Sequence, residues 1–520
     1  MNLPLARISL LILPLTFPLS SALAAAERPN ILLAISDDQS HPHASAYGCE
    51  WVRTPAFDRV SRSGVLFTRG FVASPGCSPS RAALLTGRYP WRLEHAGTHG
   101  SEFPAKFAVF PDLLEASGYV VGYTGKGWGP GNWQASGRSR NPAGNEYKGM
   151  RLDERPTSGI NAIDYAANFA AFLRERPDGA PFCFWYGGKE PHRVFQAGSG
   201  RSAGKELADV DVPPFLPDSD EIRSDLLDYA LEIEWFDAQL GRMLDALDKA
   251  DELDNTLVIV TSDNGMAFPR AKANCYEYGF HVPLAMSWPA HVPGNRTIDD
   301  LTSLVDVTAT ILDVAGVEHP DARKSGRALD GHSLCATLTG DAEGTVDLER
   351  RHIFAARERH SSSRYANRGY PQRAVRSDEY LYIRNFHPGR WPAGAPQKYD
   401  SPGQLGPMHG AYHDIDASPS LTFLVEHRDD ARWSRYFHWA VDKRPAEELY
   451  RIANDPGCLD NLAASPAQTE VLQAHRRVLT EYLTATGDPR ASPGETDEVF
   501  ETYKRFANIR DFPPPEEASN

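Results

Sequence analysis

Cys77-Ser78-Pro79-Ser80-Arg81-Ala82-Ala83-Leu84-Leu85-Thr86-Gly87-Arg88 is the stretch from which the rest of this 520-residue chain can be read. An early proline followed by Ala-Ala-Leu-Leu predicts a helix opening, because proline's fixed φ suits a first turn and the residues after it favour helix. Cys77 then sits at the helix mouth, where free N–H groups and the helix dipole favour anions and should lower a thiol's pKa. Arg81, four residues on, lies on the same helical face. The expectation is an anion site with a nucleophile inside it; the plainer alternative is a buried cysteine starting an ordinary helix.

Upstream, Asn30-Ile31-Leu32-Leu33-Ala34-Ile35-Ser36 is a continuous apolar run and predicts a strand buried on both faces, ending at Asp37-Asp38. Adjacent carboxylates at such a place need a cation or solvent. Thr54-Pro55 predicts a short helix with a threonine cap, leading towards Cys77. Downstream, Phe110 to Ser117 reads as a helix, Tyr119 to Tyr123 as a second strand ending at Lys126, and Pro181 to Tyr186 as a third, ending at Glu190-Pro191-His192-Arg193. Glu221 to Ala250 is a long helix, with Leu226, Tyr229, Ile233, Phe236, Leu240, Met243 and Leu247 at three- and four-residue spacing. Thr256 to Thr261 is a fourth strand, running into Ser262-Asp263-Asn264-Gly265.

Strands alternating with helices imply an α/β fold with a mostly parallel sheet, and such sheets gather their sites at the carboxyl ends of strands. Asp37, Asp38, Lys126, His192, Asp263 and Asn264 are therefore expected at one edge. Three carboxylates and an amide carbonyl are hard oxygen donors suited to calcium or magnesium, whereas zinc would want several histidines or thiolates.

From about Arg351 the alternation stops. Gln372 to Arg376 and Tyr380 to Arg384 predict a hairpin in an antiparallel sheet, Gln468 to Ala485 a last helix, and Phe512-Pro513-Pro514-Pro515-Glu516-Glu517 a flexible tail. The expected organisation is a signal peptide over 1–26, a catalytic domain over 27–350 and a smaller α+β domain over 351–520 that completes the pocket. The leader carries Arg7, an apolar run from Ile8 to Leu19 and the small-residue pattern Ala22-Leu23-Ala24, which points to the periplasm or the cell exterior; no later stretch is apolar enough to span a membrane. A net charge of −15 argues against nucleic acid and gives no bulk attraction to a polyanion, so recognition of an anionic substrate must be local. If Cys77 is converted, five of the six cysteines remain, and no disulfide framework is implied.

Cys-x-Pro-Ser-Arg followed by Leu-Thr-Gly-Arg resembles the signature of the type I sulfatases, with every fixed position present. The resemblance implies an alkaline-phosphatase-like fold and oxidation of Cys77 by a dedicated maturation enzyme to formylglycine, whose aldehyde hydrate is the nucleophile. It implies one calcium ion held by Asp37, Asp38, Asp263, Asn264 and an oxygen at position 77. It also implies Arg81 on the nucleophile's oxygen, Lys126 and Lys272 on the sulfate, and His192 as proton donor to the leaving group. Many sulfatases carry a histidine two residues after the lysine; here Trp128 stands there, so a different base is needed, with His99 the first candidate and His41 and His43 behind it. Within the family the pieces around Glu190-Pro191-His192-Arg193, Asn255 to Pro269 and the Arg376 to Asn385 hairpin are similar to the heparan N-sulfatase (sulfamidase) branch, which implies a sulfated saccharide substrate. Glu358, Arg359 and His360 are expected as sugar contacts. A phosphoesterase of the related superfamily, with serine or threonine and two zinc ions, fits poorly because this metal set has too few histidines, and a non-catalytic glycan binder has only Trp128 in its favour.

Overall fold

The computed structural model describes residues 28–322, 328–491 and 497–515. The expected leader lies outside them, as do Glu516 and Glu517. In chain order the strands are β1 (Asn30–Ser36), β2 (Val65–Phe71), β3 (Val120–Gly125), β4 (Asn145–Glu146), β5 (Phe182–Gly187), β6 (Thr256–Ser262), β7 (His281–Ser287), β8 (Arg296–Ile298) and β9 (Thr302–Ser303). They form one sheet in the order β4-β3-β5-β1-β6-β7-β2-β8, with β9 also on β2. The block β3-β5-β1-β6 is parallel throughout, while β7 runs antiparallel to both of its neighbours. The antiparallel β7 was not legible in the sequence, which gave only the parallel alternation.

The apolar run of β1 is continuous because both of its faces are covered. Ile31, Leu33 and Ile35 enter one buried cluster and Leu32 and Ala34 the other. Among the helices, α1 (Pro55–Arg62), α2 (Cys77–Thr86), α3 (Phe110–Ala116), α4 (Tyr165–Glu175), α5 (Ser199–Ser202) and α6 (Asp220–Lys249) precede β6. Helix α6 is capped by Ser219, whose side chain accepts from Ile222 N, and it buries the expected stripe from Leu226 to Leu247. Thr54 precedes α1 but caps nothing; its hydroxyl is taken by Ser45 instead.

A second, antiparallel sheet is built from β10 (Ile353–Arg357), β11 (Gln372–Arg376) and β12 (Tyr380–Asn385); after the small hairpin β13 (Tyr399–Ser401) and β14 (Gln404–Leu405), the strand β15 (Glu447–Arg451) completes it, in the order β10-β11-β12-β15. The expected hairpin is thus β11–β12. Its apolar face joins the larger cluster of the main sheet through Phe354, Val375 and Leu381. The start of the tail departs from expectation: Phe512 is buried, its ring 6.4 Å from that of His413, and Asp511 O accepts a hydrogen bond from Tyr399 N at 2.9 Å, so burial of an aromatic side chain fixes the chain there.

Candidate active site

Four adjacent parallel strands deliver the polar residues. Asp37 and Asp38 follow β1, Lys126 follows β3, His192 lies on the loop after β5, and Asp263 and Asn264 follow β6. Helix α2 brings Cys77 to the same edge from its first position, after an extended Gly76. A Cβ at Gly76 would come within 3.0 Å of His360 Nδ1, so glycine permits the close approach of the chain to that ring. Asp38 sits at φ 77, and Arg270 and Ala273, flanking Lys272, at φ 71 and 62; left-handed backbone of this kind survives where surrounding contacts over-determine it, commonly at functional sites.

Each carboxylate gives one oxygen to a cation. Lys126 Nζ lies 2.5 Å from Asp37 Oδ2, Lys272 Nζ 2.6 Å from Asp38 Oδ2, and Arg81 Nε 2.7 Å from Asp263 Oδ2. Of the other oxygens, Asp37 Oδ1 and Asp38 Oδ1 lie 3.5 Å and 3.9 Å from Cys77 Sγ, while Asp263 Oδ1 accepts from Asp38 N at 3.2 Å. Ligand atoms of Asp37, Asp38, Cys77 and Asp263 all fall within 4.8 Å of one another. Asn264 Nδ2 donates to Asp38 Oδ1 at 2.7 Å, and its buried Oδ1 has no partner among the described residues, an orphaned carbonyl that with the three carboxylates makes a donor set fitting a hard divalent cation.

Arg81 is fully buried. It also donates from Nη1 to Lys126 O (2.7 Å) and Gly127 O (3.2 Å), leaving Nη2, 4.0 Å from Asp37 Oδ1, without a hydrogen-bond partner among the described residues. Burial pulls the lysines and Arg81 towards neutrality, but the carboxylates outweigh it: Asp37 keeps Lys126 charged, Asp38 with Asp416 keeps Lys272 charged, and Asp263 with Asp37 does so for Arg81. The helix mouth does not lower the Cys77 thiol as expected. Burial pushes it well above the usual thiol range, and the pull of Lys126 and Lys272 is insufficient to reverse this.

His192 donates from Nδ1 to Arg193 O at 2.6 Å, which leaves Nε2 facing the site, 3.8 Å from Asp38 Oδ2. Trp128 is buried, and its indole N–H donates to Ser78 O at 3.0 Å, a contact to the first turn of α2 rather than to the cavity. A cavity of about 230 Å³ opens over Cys77 and is lined further by His99, His192, Lys272, His360 and Asp416. His99 and His360 pair on its wall with ring centroids 4.5 Å apart, both held neutral chiefly by burial, and His99 Nδ1 has no partner.

The remaining candidates lie elsewhere. His41 stacks on His281 at 3.9 Å and His43 meets Tyr229 OH at 3.3 Å; neither lines the cavity. Of Glu358, Arg359 and His360, only His360 reaches it. Glu358 is buried in ion pairs with Arg373 (2.8 Å) and Arg490 (2.7 Å), and Arg359 donates to Tyr503 O, because the stretch just past β10 turns one side chain towards Arg373 on β11 and the other towards the C-terminal segment. Asp416, 3.1 Å from Lys272, escaped the sequence reading; it sits on a loop with no periodicity or motif around it.

A cysteine ringed by paired carboxylates and fixed cations, at the strand ends of an α/β sheet, defines an enzyme built to hold a tetrahedral anion. The chain belongs to the sulfatase family: residues 29–317 match the family Sulfatase, and residues 270–389 match the C-terminal region of N-sulphoglucosamine sulphohydrolase. It is similar to human N-sulphoglucosamine sulphohydrolase, 27% identical over 90% of this chain and 92% of the relative, and to an ulvan-active sulfatase of Formosa agariphila, 26% identical over 90% and 83%. Among solved structures it shares its fold with a protein determined in complex with its substrate D-glucosamine-2-N,6-O-disulfate, at TM-score 0.63 and 18% identity, covering 90% of this chain and 100% of the other. No helix among the described residues is long and apolar enough to cross a membrane.

Proposed function

We propose that the chain is a secreted or periplasmic sulfatase that removes sulfate from a sulfated glycan through formylglycine at position 77, with N-sulfoglucosamine as its first substrate. The observation that carries the reading is the surroundings of Cys77: a thiol kept protonated by burial is a poor nucleophile, yet Lys126, Lys272, Arg81 and His192 are arranged around it as an anion cradle. Asp37, Asp38, Asp263 and Asn264 would hold one calcium ion, which supplies Lewis-acid polarisation of sulfate when bound.

One hydroxyl of the hydrated aldehyde gives its proton to solvent water, the resulting oxyanion attacks sulfur, and the bond from sulfur to the leaving oxygen or nitrogen breaks. Arg81, through its unpartnered Nη2, holds the attacking oxygen, while Lys126 and Lys272 bind sulfate oxygens. His192 gives the proton on Nε2 to the leaving group. The second hydroxyl then loses its proton to the free Nδ1 of His99, the carbon–oxygen bond to sulfate breaks, and the aldehyde returns. Trp128, tied to Ser78, takes no part in these proton transfers.

Sulfate release from a saccharide panel, by protein co-expressed with a formylglycine-generating enzyme, tests the reading. N-sulfoglucosamine is expected to be turned over fastest. Preferential release from an O-sulfated polysaccharide such as ulvan would move the substrate and keep the chemistry, and no release from any sulfated compound would overturn the reading.

A further inference from the structure

The last part of the chain returns to the cavity. Ser101 Oγ donates to Lys504 O at 2.7 Å, Phe506 N to Gly100 O at 2.6 Å, and Arg510 N to Ser362 Oγ at 2.9 Å. Phe512 is buried, its ring 6.4 Å from that of His413. Pinned this way, the segment brings Arg505, Asn508 and Arg510 into the lining of the cavity that holds Cys77. Burial falls along that cavity: Cys77 and Lys272 are buried at its floor, Arg510 is half-buried and Asn508 exposed, so the C-terminal segment forms the mouth.

The two arginines there do different work. Arg505 is a clamp, its Nη1 donating to His99 O at 3.1 Å and His360 O at 2.9 Å. Arg510 spends one N–H on Ser362 O at 3.3 Å and has no acidic partner among the described residues, although the chain carries a net charge of −15. His413 lines the same mouth with its Nε2 buried and unpartnered; burial, with Arg510 next in effect, pulls it down to about 4, so it stays neutral. A guanidinium fork with unused donors, beside a neutral ring nitrogen and an amide, suits a planar or tetrahedral oxyanion.

We propose that Arg510, with His413 and Asn508, forms an anion subsite at the cavity mouth that reads a second acidic substituent, a carboxylate or another sulfate, on the saccharide whose scissile sulfate lies at the floor. The cavity volume of about 230 Å³ falls below the roughly 300–1,000 Å³ of pockets for drug-sized ligands, so it takes a terminal sugar unit, and the subsite meets that unit or its immediate neighbour. The proposal rests on the sulfatase reading for the identity of the floor group.

The test is calorimetric binding to the full chain carrying Cys77→Ala, which cannot turn over. Three disaccharides share one sulfated terminal sugar and differ in the neighbour: neutral, uronic acid, or O-sulfated. An acidic neighbour is expected to tighten binding by about tenfold or more, and the arm that gains identifies the anion. Adding Arg510→Gln should erase that gain while the neutral ligand changes by less than about twofold, and Arg510→Lys should keep part of it. Should Arg510→Gln fail to fold, His413→Asn provides the same comparison. Equal weakening of all three ligands, or no gain from an acidic neighbour in the parent chain, overturns the subsite. Sulfate release by the matured wild-type chain is measured separately, so a failed sulfatase reading shows there and leaves the binding ratios to decide the subsite.

Discussion

At the scale of single residues, the Cys77 thiol is the side chain whose surroundings suit it least. Burial and the charges of Asp37 and Asp263 outweigh Lys126 and Lys272, so the sulfur stays protonated, and a cradle of cations is poised around a group that cannot use it. Active protein from a host with the maturation system should therefore show, by peptide mass spectrometry, an aldehyde in place of the thiomethyl group at position 77; fully active protein with unmodified Cys77 would sink the mechanism. His99 gives a second expectation. A positioned base contributes about 10²–10⁴-fold, so His99→Ala should lower kcat by at least about 10²-fold with little change in KM, and a sulfated intermediate should accumulate at residue 77. His41→Ala, which does not line the cavity, should leave both constants within about twofold of the wild type. Much of this was legible in the sequence because α2 carries Cys77 and Arg81 within five consecutive positions. The role of Trp128 was not, since only the fold shows its indole spent on Ser78 O.

At the scale of elements, α6 carries a cost that the sequence pattern hid. Glu232 is buried within the helix with neither carboxylate oxygen partnered among the described residues, and burial, reinforced by Glu190 and Asp228, pushes its pKa up to about 9. A folded value above the unfolded 4.5 means that its contribution to stability is complete below about pH 4.5 and is lost progressively as pH rises towards 9. Glu232→Gln removes that titration. It should match the wild type in thermal melts near pH 4 and exceed it at pH 7.5 by up to about 4 kcal/mol; an offset constant across that range would show that Glu232 does not hold its proton. The strand ends β1, β3, β5 and β6 were legible because two-sided burial writes an unbroken apolar run and the polar residue closing each run marks its end. Strand β7 and the loop bearing Asp416 were not, because antiparallel insertion and loop packing leave no period in the sequence.

At the scale of the whole molecule, the floor of the site belongs to the main sheet and the mouth to segments hundreds of residues later, which explains why sequence spacing revealed one and not the other. If Asp37, Asp38, Asp263 and Asn264 share a calcium ion, binding to the native state alone raises stability by about 2.7 kcal/mol at a hundred times Kd. Chelation should lower the melting temperature, calcium should restore it, and Asp263→Ala should lose both the calcium response and turnover; a wild-type melt indifferent to chelator would count against the ion. If position 77 is converted to formylglycine, the burial of Cys77 at 1% exposure on the floor of a cavity whose mouth is lined by residues 505–510 bears on the order of events in biosynthesis. A mouth that admits a sugar unit is too narrow for the active site of another protein to reach the floor, so an enzyme oxidising this cysteine would act before the C-terminal segment is in place. The stretch around residue 77 leaves the ribosome long before the segment that lines the mouth, and the interval between them would be the window for that conversion.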